Sequence, residues 1–213
     1  MSLVELPRVI PEAPGRPVWG DAARPMQELT RAIATDRGAW TPERNAQIAA
    51  LFDGMADGWR DNDRPERHDA IGDALERGGP FPSGWCAEVG SGTGNATPDL
   101  QRAFTFVVSF DLSGEMLRLA PATGSRVQSD SSRLPLPPNS VPVVALVNMF
   151  LFPLEVARVL APDGVLLWVS TNGNETPIYL PPSDALVALP GEWHGVTSQA
   201  GWGTWLTAHR ALH

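Results

Sequence analysis

The sequence predicts an α/β protein whose mostly parallel sheet is closed by a C-terminal antiparallel hairpin and preceded by helices. Three observations predict it. Short apolar runs recur at Trp85–Gly90, Phe106–Asp111, Val127–Asp130, Val143–Asn148 and Val165–Thr171. Near-continuous apolar strands of this kind mark a sheet covered on both faces. Turn or helical segments at Ala96–Arg102, Glu115–Ala120 and Phe152–Leu160 separate the runs, as parallel pairing requires. Finally, Trp193–Gln199, Ala200-Gly201 and Trp202–His209 read as two strands about a tight turn. Five parallel strands and this hairpin make a seven-stranded sheet.

The segment before the sheet has its own grammar. Pro7, Pro11, Pro14 and Pro17 favour an extended arm over Met1 to Gly20. Met26, Leu29, Ile33 and Ala34 then recur at helical spacing. Thr41-Pro42-Glu43 supplies an N-cap, a proline at the first helical position and an early acid. The helix it opens carries Ile48, Leu51, Phe52 and Met55 on its expected buried face. Another helix runs from about Pro65 to Glu76 and stops at Gly78-Gly79-Pro80. Residues 1–80 are thus expected to form an arm and helical cap, and residues 81–213 the sheet core.

Composition removes several functions. All 16 basic residues among the 213 are arginine, so lysine Schiff bases, a P-loop lysine and a lysine general base are excluded. The net charge of −8 argues against a nucleic-acid backbone as the main partner. Cys86 is alone, so no intramolecular disulfide or cysteine-rich zinc site can form. No His, Cys and carboxylate spacing implies a metal. Met1 to Gln27 has no signal-peptide apolar core. The uncharged stretch Leu134 to Leu154 is long enough to span a bilayer, but its five prolines favour a loop followed by a buried strand. A cytoplasmic protein without membrane partners is expected.

The chemistry concentrates where the first core strand ends, at Ala87-Glu88-Val89-Gly90-Ser91-Gly92-Thr93-Gly94-Asn95. A glycine-rich turn between strand and helix lets a ligand approach the backbone closely. Asp111 ends the second strand, 21 residues beyond Gly90, where a carboxylate can accept both hydroxyls of an adenosine ribose. The pair indicates an adenosine cofactor at the carboxyl ends of the sheet. A nicotinamide fingerprint would place its third glycine at position 95, which is Asn95, and a pyrophosphate gains nothing from Glu88.

Glu88-Val-Gly-Ser-Gly-Thr-Gly94 followed by Asp111-Leu-Ser-Gly-Glu-Met-Leu117 resembles class I S-adenosylmethionine-dependent methyltransferases over about Leu51 to Arg210. The resemblance implies a Rossmann-like fold, S-adenosylmethionine as cofactor and methyl transfer to a small-molecule acceptor. It further implies that Gly90, Ser91, Gly92, Thr93 and Gly94 line the methionine part, with Glu88 anchoring the loop. Asp111 would hold the ribose, and Leu112 and Met116 would pack on the adenine. Asp130, in Gln128-Ser-Asp-Ser131, would accept from the adenine amino group, and Ser131 would offer its N–H to the ring. Asn148 would pass the carboxypropyl group. Phe52-Asp-Gly-Met-Ala-Asp-Gly-Trp59 resembles a segment whose aromatics close over the cofactor, which makes Trp59 a contact.

Two other functions remain open at this level: a non-catalytic, methyltransferase-like binding or interaction protein, and a nicotinamide-dependent oxidoreductase. The fourth core strand begins Asn139-Ser-Val-Pro142, without the aspartate usual near that proline. Asn148-Met-Phe-Leu151 is not the signature of base amino-methyltransferases. No catalytic residue can be named. Trp19 and Trp40 could wall a planar or apolar acceptor. His68, among Arg64, Glu66, Arg67 and Asp69, reads as part of a solvated face, and His194 as the start of the hairpin. His209 reads as exposed and His213 as terminal. Asn172 and Asn174 sit on the rim after the fifth strand, where a plain turn is the simpler reading.

Overall fold

The structure, a computed structural model, describes residues 1–121 and 124–211, so His213 lies outside the described residues. Its strands are β1 (Ser2–Glu5), β2 (Trp85–Val89), β3 (Phe106–Asp111), β4 (Ser125–Gln128), β5 (Val141–Val147), β6 (Leu160–Ser170), β7 (Trp193–Ala200) and β8 (Gly203–Arg210). The helices are α1 (Arg24–Thr35), α2 (Pro42–Trp59), α3 (Asp69–Arg77), α4 (Thr97–Ala103), α5 (Gly114–Leu119), α6 (Pro153–Val159) and α7 (Pro182–Ala188). All strands join one sheet in the order β1-β7-β8-β6-β5-β2-β3-β4. Strands β6, β5, β2, β3 and β4 are parallel, and β8 is antiparallel to both β6 and β7. This is the Rossmann-like arrangement with its C-terminal hairpin.

The sheet has eight strands, one more than the sequence suggests. The extra strand is β1, from the proline-rich arm, which pairs parallel to β7 along Ser2–Glu5. Four residues ahead of the first proline give no strand signature of their own; the pairing is supplied by the open edge of β7. Beyond β1 the arm is strapped down. Ile10 carbonyl accepts from Gly201 N, and Ala13 carbonyl accepts from Trp202 Nε1 at 2.7 Å. Arg16 donates to Asn172 carbonyl and Asn174 Oδ1, both at 2.6 Å, while Asn172 Nδ2 donates to Pro17 carbonyl. The asparagine rim therefore holds the arm. Arg16→Ala should lower stability by about 1–2 kcal/mol, the usual worth of a charge-assisted hydrogen bond at a partly exposed site, readable as a lower urea midpoint with unchanged slope.

Side chains alternate cleanly across the sheet. Ala87, Val144 and Leu166 face one layer with α6 and α7, and Cys86, Val143 and Leu167 face the other with α3 and α4. Both faces are apolar, as a sheet covered on both sides demands. The uncharged Leu134–Leu154 stretch folds as a loop, β5 and the first residues of α6. Among the described residues, no helix is long and apolar enough to cross a membrane.

The cap is built on α1, α2 and the segment after β5, around Ile33, Ile48, Phe150, Phe152 and Ile178. Thr41 Oγ1 accepts from Arg44 N at 3.3 Å and Pro42 opens α2, as the sequence indicates. The buried stripe of α2 is rotated from the expected one. Ile48 and Ala56 are buried and Phe52 partly so, whereas Leu51 and Met55 stay 43% and 42% exposed. Packing against α5 selects the 48–52–56–59 row, one ridge away from the Leu51–Met55 row.

The order of the strands reverses beside β2: the chain runs outward through β3 and β4, then returns to β5 on the other side. That switch point opens a crevice at the carboxyl ends of β2 and β5.

Candidate cofactor site

The crevice is an open cleft lined by the carboxyl end of the sheet and by the helical cap. The glycine loop after β2 forms its floor. Gly90, Gly92 and Gly94 have φ of +77°, +55° and +82°, a region that costs a Cβ-bearing residue about 1–2 kcal/mol. A Cβ on Gly92 would sit 3.3 Å from Trp59 Nε1, so the indole closes over the bare backbone. Trp59 is held edge-on by Phe52, with centroids 5.6 Å apart.

The loop spends its backbone donors internally. Gly90 N and Ser91 N donate to Phe110 carbonyl, Gly94 N donates to Ser91 carbonyl, and Gly92 N donates to Asp111 Oδ2 at 2.7 Å. A pyrophosphate-binding turn works by offering such groups to the anion. Here four of them already have partners.

Asp111 is the hinge of the site. Its Oδ2 accepts from Gly92 N and its Oδ1 from Ser113 N at 2.8 Å, leaving each oxygen further acceptor capacity on the cavity wall. Burial raises its pKa, opposed by the backbone bonds from Ser113, Gly92 and Leu112. Ser113 Oγ in turn caps α5 by accepting from Met116 N. Glu88 lies below, 2% exposed, with Oε2 accepting from Thr97 Oγ1 at 2.6 Å and Ser109 Oγ at 2.8 Å. Its Oε1 is buried without a partner. Burial pushes the Glu88 pKa up to about 7 against the pull of those hydroxyls.

On the opposite wall, Asn148 takes φ +51° at the end of β5. Its Oδ1 accepts from Thr171 N at 2.8 Å and its Nδ2 donates to Thr171 Oγ1 at 2.9 Å, locking the ends of β5 and β6 together. Arg67 Nε reaches the same hydroxyl at 3.1 Å. Beside it, His68 Nδ1 is 2.5 Å from Asp99 Oδ2 and Nε2 is 2.9 Å from Asp63 Oδ1. Burial works against the imidazolium, but the hydrogen bonds and charges of Asp99 and Asp63 prevail and raise its pKa.

Of the residues singled out in the sequence, Trp59, Glu88, Gly90, Ser91, Gly92, Asp111, Leu112, Met116, Ser131 and Asn148 converge on the cleft. Thr93 and Gly94 do not. Thr93 Oγ1 turns inward to Asn95 Oδ1, and the open side of Gly94 faces Thr97 and Pro121. Asp130 is also outside the lining; Trp40 Nε1, Asn45 Nδ2 and Ser132 N all donate to it.

His68 is a correction, because it lies on the cleft between two carboxylates rather than on a solvated face. Asn95, Met149, Phe150 and Thr171 line the cleft without having been singled out as contacts. Their neighbours in sequence carry the motifs, and adjacency to the loop and strand ends was the available signal. Of the two cap tryptophans, Trp40 lines the cleft and Trp19 is 51% exposed. His194 lies away from it, bonded to Ser2 Oγ at the β1–β7 edge. Among the described residues, no group of His, Cys, Asp and Glu could hold a metal ion.

This fold, with its cleft at the switch point of the sheet, is the Rossmann-like methyltransferase fold. Residues 87–168, less than half of the chain, match the family model described as "Methyltransferase domain". The fold is similar to that of DhpI in its SAH complex: 19% identity over 78% of this chain and 96% of that one, TM-score 0.64. It is also similar to the complex of the Haloferax volcanii Trm112 methyltransferase activator with a putative methyltransferase, at 19% identity over 76% and 98%, TM-score 0.60. A third is phosphoethanolamine N-methyltransferase 1 of Haemonchus contortus, bound to phosphoethanolamine and S-adenosylhomocysteine, at 17% identity over 83% and 51%, TM-score 0.59. No curated protein matches the sequence.

Proposed function

We propose that this protein transfers a methyl group from S-adenosylmethionine to a small-molecule acceptor. The observation that carries the reading is the donor set of the cleft. Asp111 has acceptor capacity to spare at the ribose position, Glu88 Oε1 is buried and unpartnered, and four of the glycine-loop amides, those of Gly90, Ser91, Gly92 and Gly94, are spent. A cofactor with ribose hydroxyls and an ammonium but no phosphate fits this set; a dinucleotide does not.

In this reading Asp111 accepts from the ribose hydroxyls, and Leu112 and Met116 offer apolar contact to the base. Gly90, Ser91 and Gly92 let the methionine chain lie against the backbone, and Asn148 borders its path. Glu88 faces the ammonium. Arg67, the guanidinium on the cleft wall, is placed for the carboxylate. Trp59 and Phe52 exclude water above Gly92. When bound, the cofactor supplies an electrophilic methyl group, so the protein's task is alignment more than acid–base chemistry.

The acceptor is small and without phosphate groups. Glu88, Asp63 and Asp111 face the cleft with the Arg67 guanidinium and with His68, which Asp63 and Asp99 already pair, so an anion buried there would lack an uncommitted compensating charge. The phosphoethanolamine enzyme's acceptor class is therefore not carried over. The net charge of −8 likewise disfavours nucleic acid. A lone buried Cys86 suits a reducing, cytoplasmic setting.

A screen of small acceptors with methyl-labelled S-adenosylmethionine tests the proposal. Label transfer to at least one uncharged or cationic small molecule is expected. Transfer only to nucleic acid or protein would overturn the acceptor class, and tight binding without any transfer would favour a non-catalytic binding protein.

A further inference from the structure

His68 immediately precedes α3, and two carboxylates from other segments close on its two ring nitrogens. Nδ1 is 2.5 Å from Oδ2 of Asp99, in α4, and Nε2 is 2.9 Å from Oδ1 of Asp63, in the turn between α2 and α3. A neutral imidazole has one proton to donate, so its other nitrogen would turn a lone pair on a carboxylate oxygen. Both contacts are satisfied only in the imidazolium. Burial opposes that charge, but the hydrogen bonds and charges of Asp99 and Asp63 outweigh it and raise the pKa. The other charges around the ring are Arg102, which pairs with Asp99 Oδ1 at 2.5 Å, and Arg67, which donates to Thr171 Oγ1 and the Asn62 carbonyl. Arg64, Glu66 and Asp69 complete the set on its own segment.

The turn that carries Asp63 borders the cleft. It leaves α2 at Trp59, whose indole covers Gly92, and returns to Arg67 on the cleft wall. Asp63 N donates to the Arg60 carbonyl, Arg67 N to the Arg64 carbonyl and His68 N to the Pro65 carbonyl, each at 3.0 Å. These bonds shape the turn locally. Its tie to α4 runs from Asp63 through His68 to Asp99, and the two ends differ: the Asp99 side chain is 9% exposed and that of Asp63 40%. One end is anchored, and the other can be released into water.

We propose that His68 is a positioning residue that, as an imidazolium, latches the α2–α3 turn onto α4 and holds it beside Trp59 at the cleft. The effect on the turn stands on this geometry; the effect on binding rests on the cofactor reading above. Linkage fixes the direction. The latched turn holds the proton, so latching is complete at low pH and is lost as pH rises through the raised His68 pKa. Deprotonation frees the Asp63 end, because Asp99 still accepts from the neutral ring at Nδ1.

Amide hydrogen exchange on the intact protein tests the latch. Protection factors at Asp63, Arg67 and His68, which correct for the intrinsic pH dependence of exchange, should fall in wild type by about three- to tenfold between pH 6 and pH 9, as expected for a partly exposed charge-assisted hydrogen bond. Asp63→Ala should show the low value at both. Asp63→Asn should stay near the wild-type pH 6 value throughout, because an amide accepts from the imidazolium and donates to the neutral ring. The imidazole resonance missing in His68→Gln should titrate above a free histidine in wild type and lower in Asp63→Ala. S-adenosylhomocysteine affinity in Asp63→Ala should be about three- to tenfold below wild type at pH 6 and within about twofold of it at pH 9. Glu88 is common to both proteins, so the ratio isolates His68. Equal protection in wild type and Asp63→Ala at pH 6, or a His68 titration that Asp63→Ala leaves unmoved, would overturn the proposal. If S-adenosylhomocysteine fails to bind wild type, the cofactor reading fails, and the exchange profile still decides the latch.

Discussion

Replacing Asp111 by alanine is expected to weaken S-adenosylhomocysteine binding by roughly 30- to 700-fold. Two losses combine. The ribose hydroxyls lose a charge-assisted acceptor, worth roughly 1.5–3 kcal/mol per bond. Gly92 N and Ser113 N lose the oxygens that fix the glycine loop and the start of α5. A net 2–4 kcal/mol corresponds to the stated range at about 1.4 kcal/mol per tenfold. Asp111→Asn keeps one acceptor oxygen and should fall between wild type and alanine. Calorimetry checks this directly, and an unchanged affinity in Asp111→Ala would remove Asp111 from the cofactor site.

A pH-dependent stability is the second large effect, and Glu88 is its source. The ordinary glutamate value of 4.5 applies to the unfolded chain, whereas in the fold Glu88 is raised to about 7. Below pH 4.5 the group is protonated in both states and contributes nothing. Between pH 4.5 and about 7 the folded state holds a proton that the unfolded chain has released, so stability falls as pH rises. At about 1.4 kcal/mol per pH unit the loss reaches roughly 3 kcal/mol by pH 8. Glu88→Gln cannot ionise, so its stability relative to wild type should improve by about that amount between pH 4.5 and pH 8 in urea unfolding.

The same group should link binding to pH, because an ammonium beside Oε1 favours the carboxylate. Wild-type affinity for S-adenosylhomocysteine should rise more steeply through pH 7 than that of Glu88→Gln, in which His68 is left as the titrating group on the cleft. An equal rise in both proteins would place the titration elsewhere.

Much of the site was legible in the sequence, for a physical reason. Glycines at 90, 92 and 94 and acids at 88 and 111 sit at strand ends that the apolar runs delimit, so local pattern fixes their place. The hidden parts depend on contacts between distant segments. Strand β1 exists because β7 has an open edge 192 residues away in the Ser2–His194 pairing. The true face of α2 depends on α5, which follows it by more than fifty residues. His68 reads as a surface residue among charged neighbours until α4 brings Asp99 against it. Trp40 and Asn45 reach Asp130 across 90 and 85 residues, and no spacing rule anticipates that partnership.

The central claim is that the cleft holds S-adenosylmethionine through Asp111 and a phosphate-free glycine loop. The most direct measurement is a titration calorimetry pair on wild-type protein at neutral pH, with S-adenosylhomocysteine in one cell and NADH in the other. The account predicts one S-adenosylhomocysteine site per chain and no heat of binding with NADH. Saturable binding of NADH with none of S-adenosylhomocysteine would contradict it.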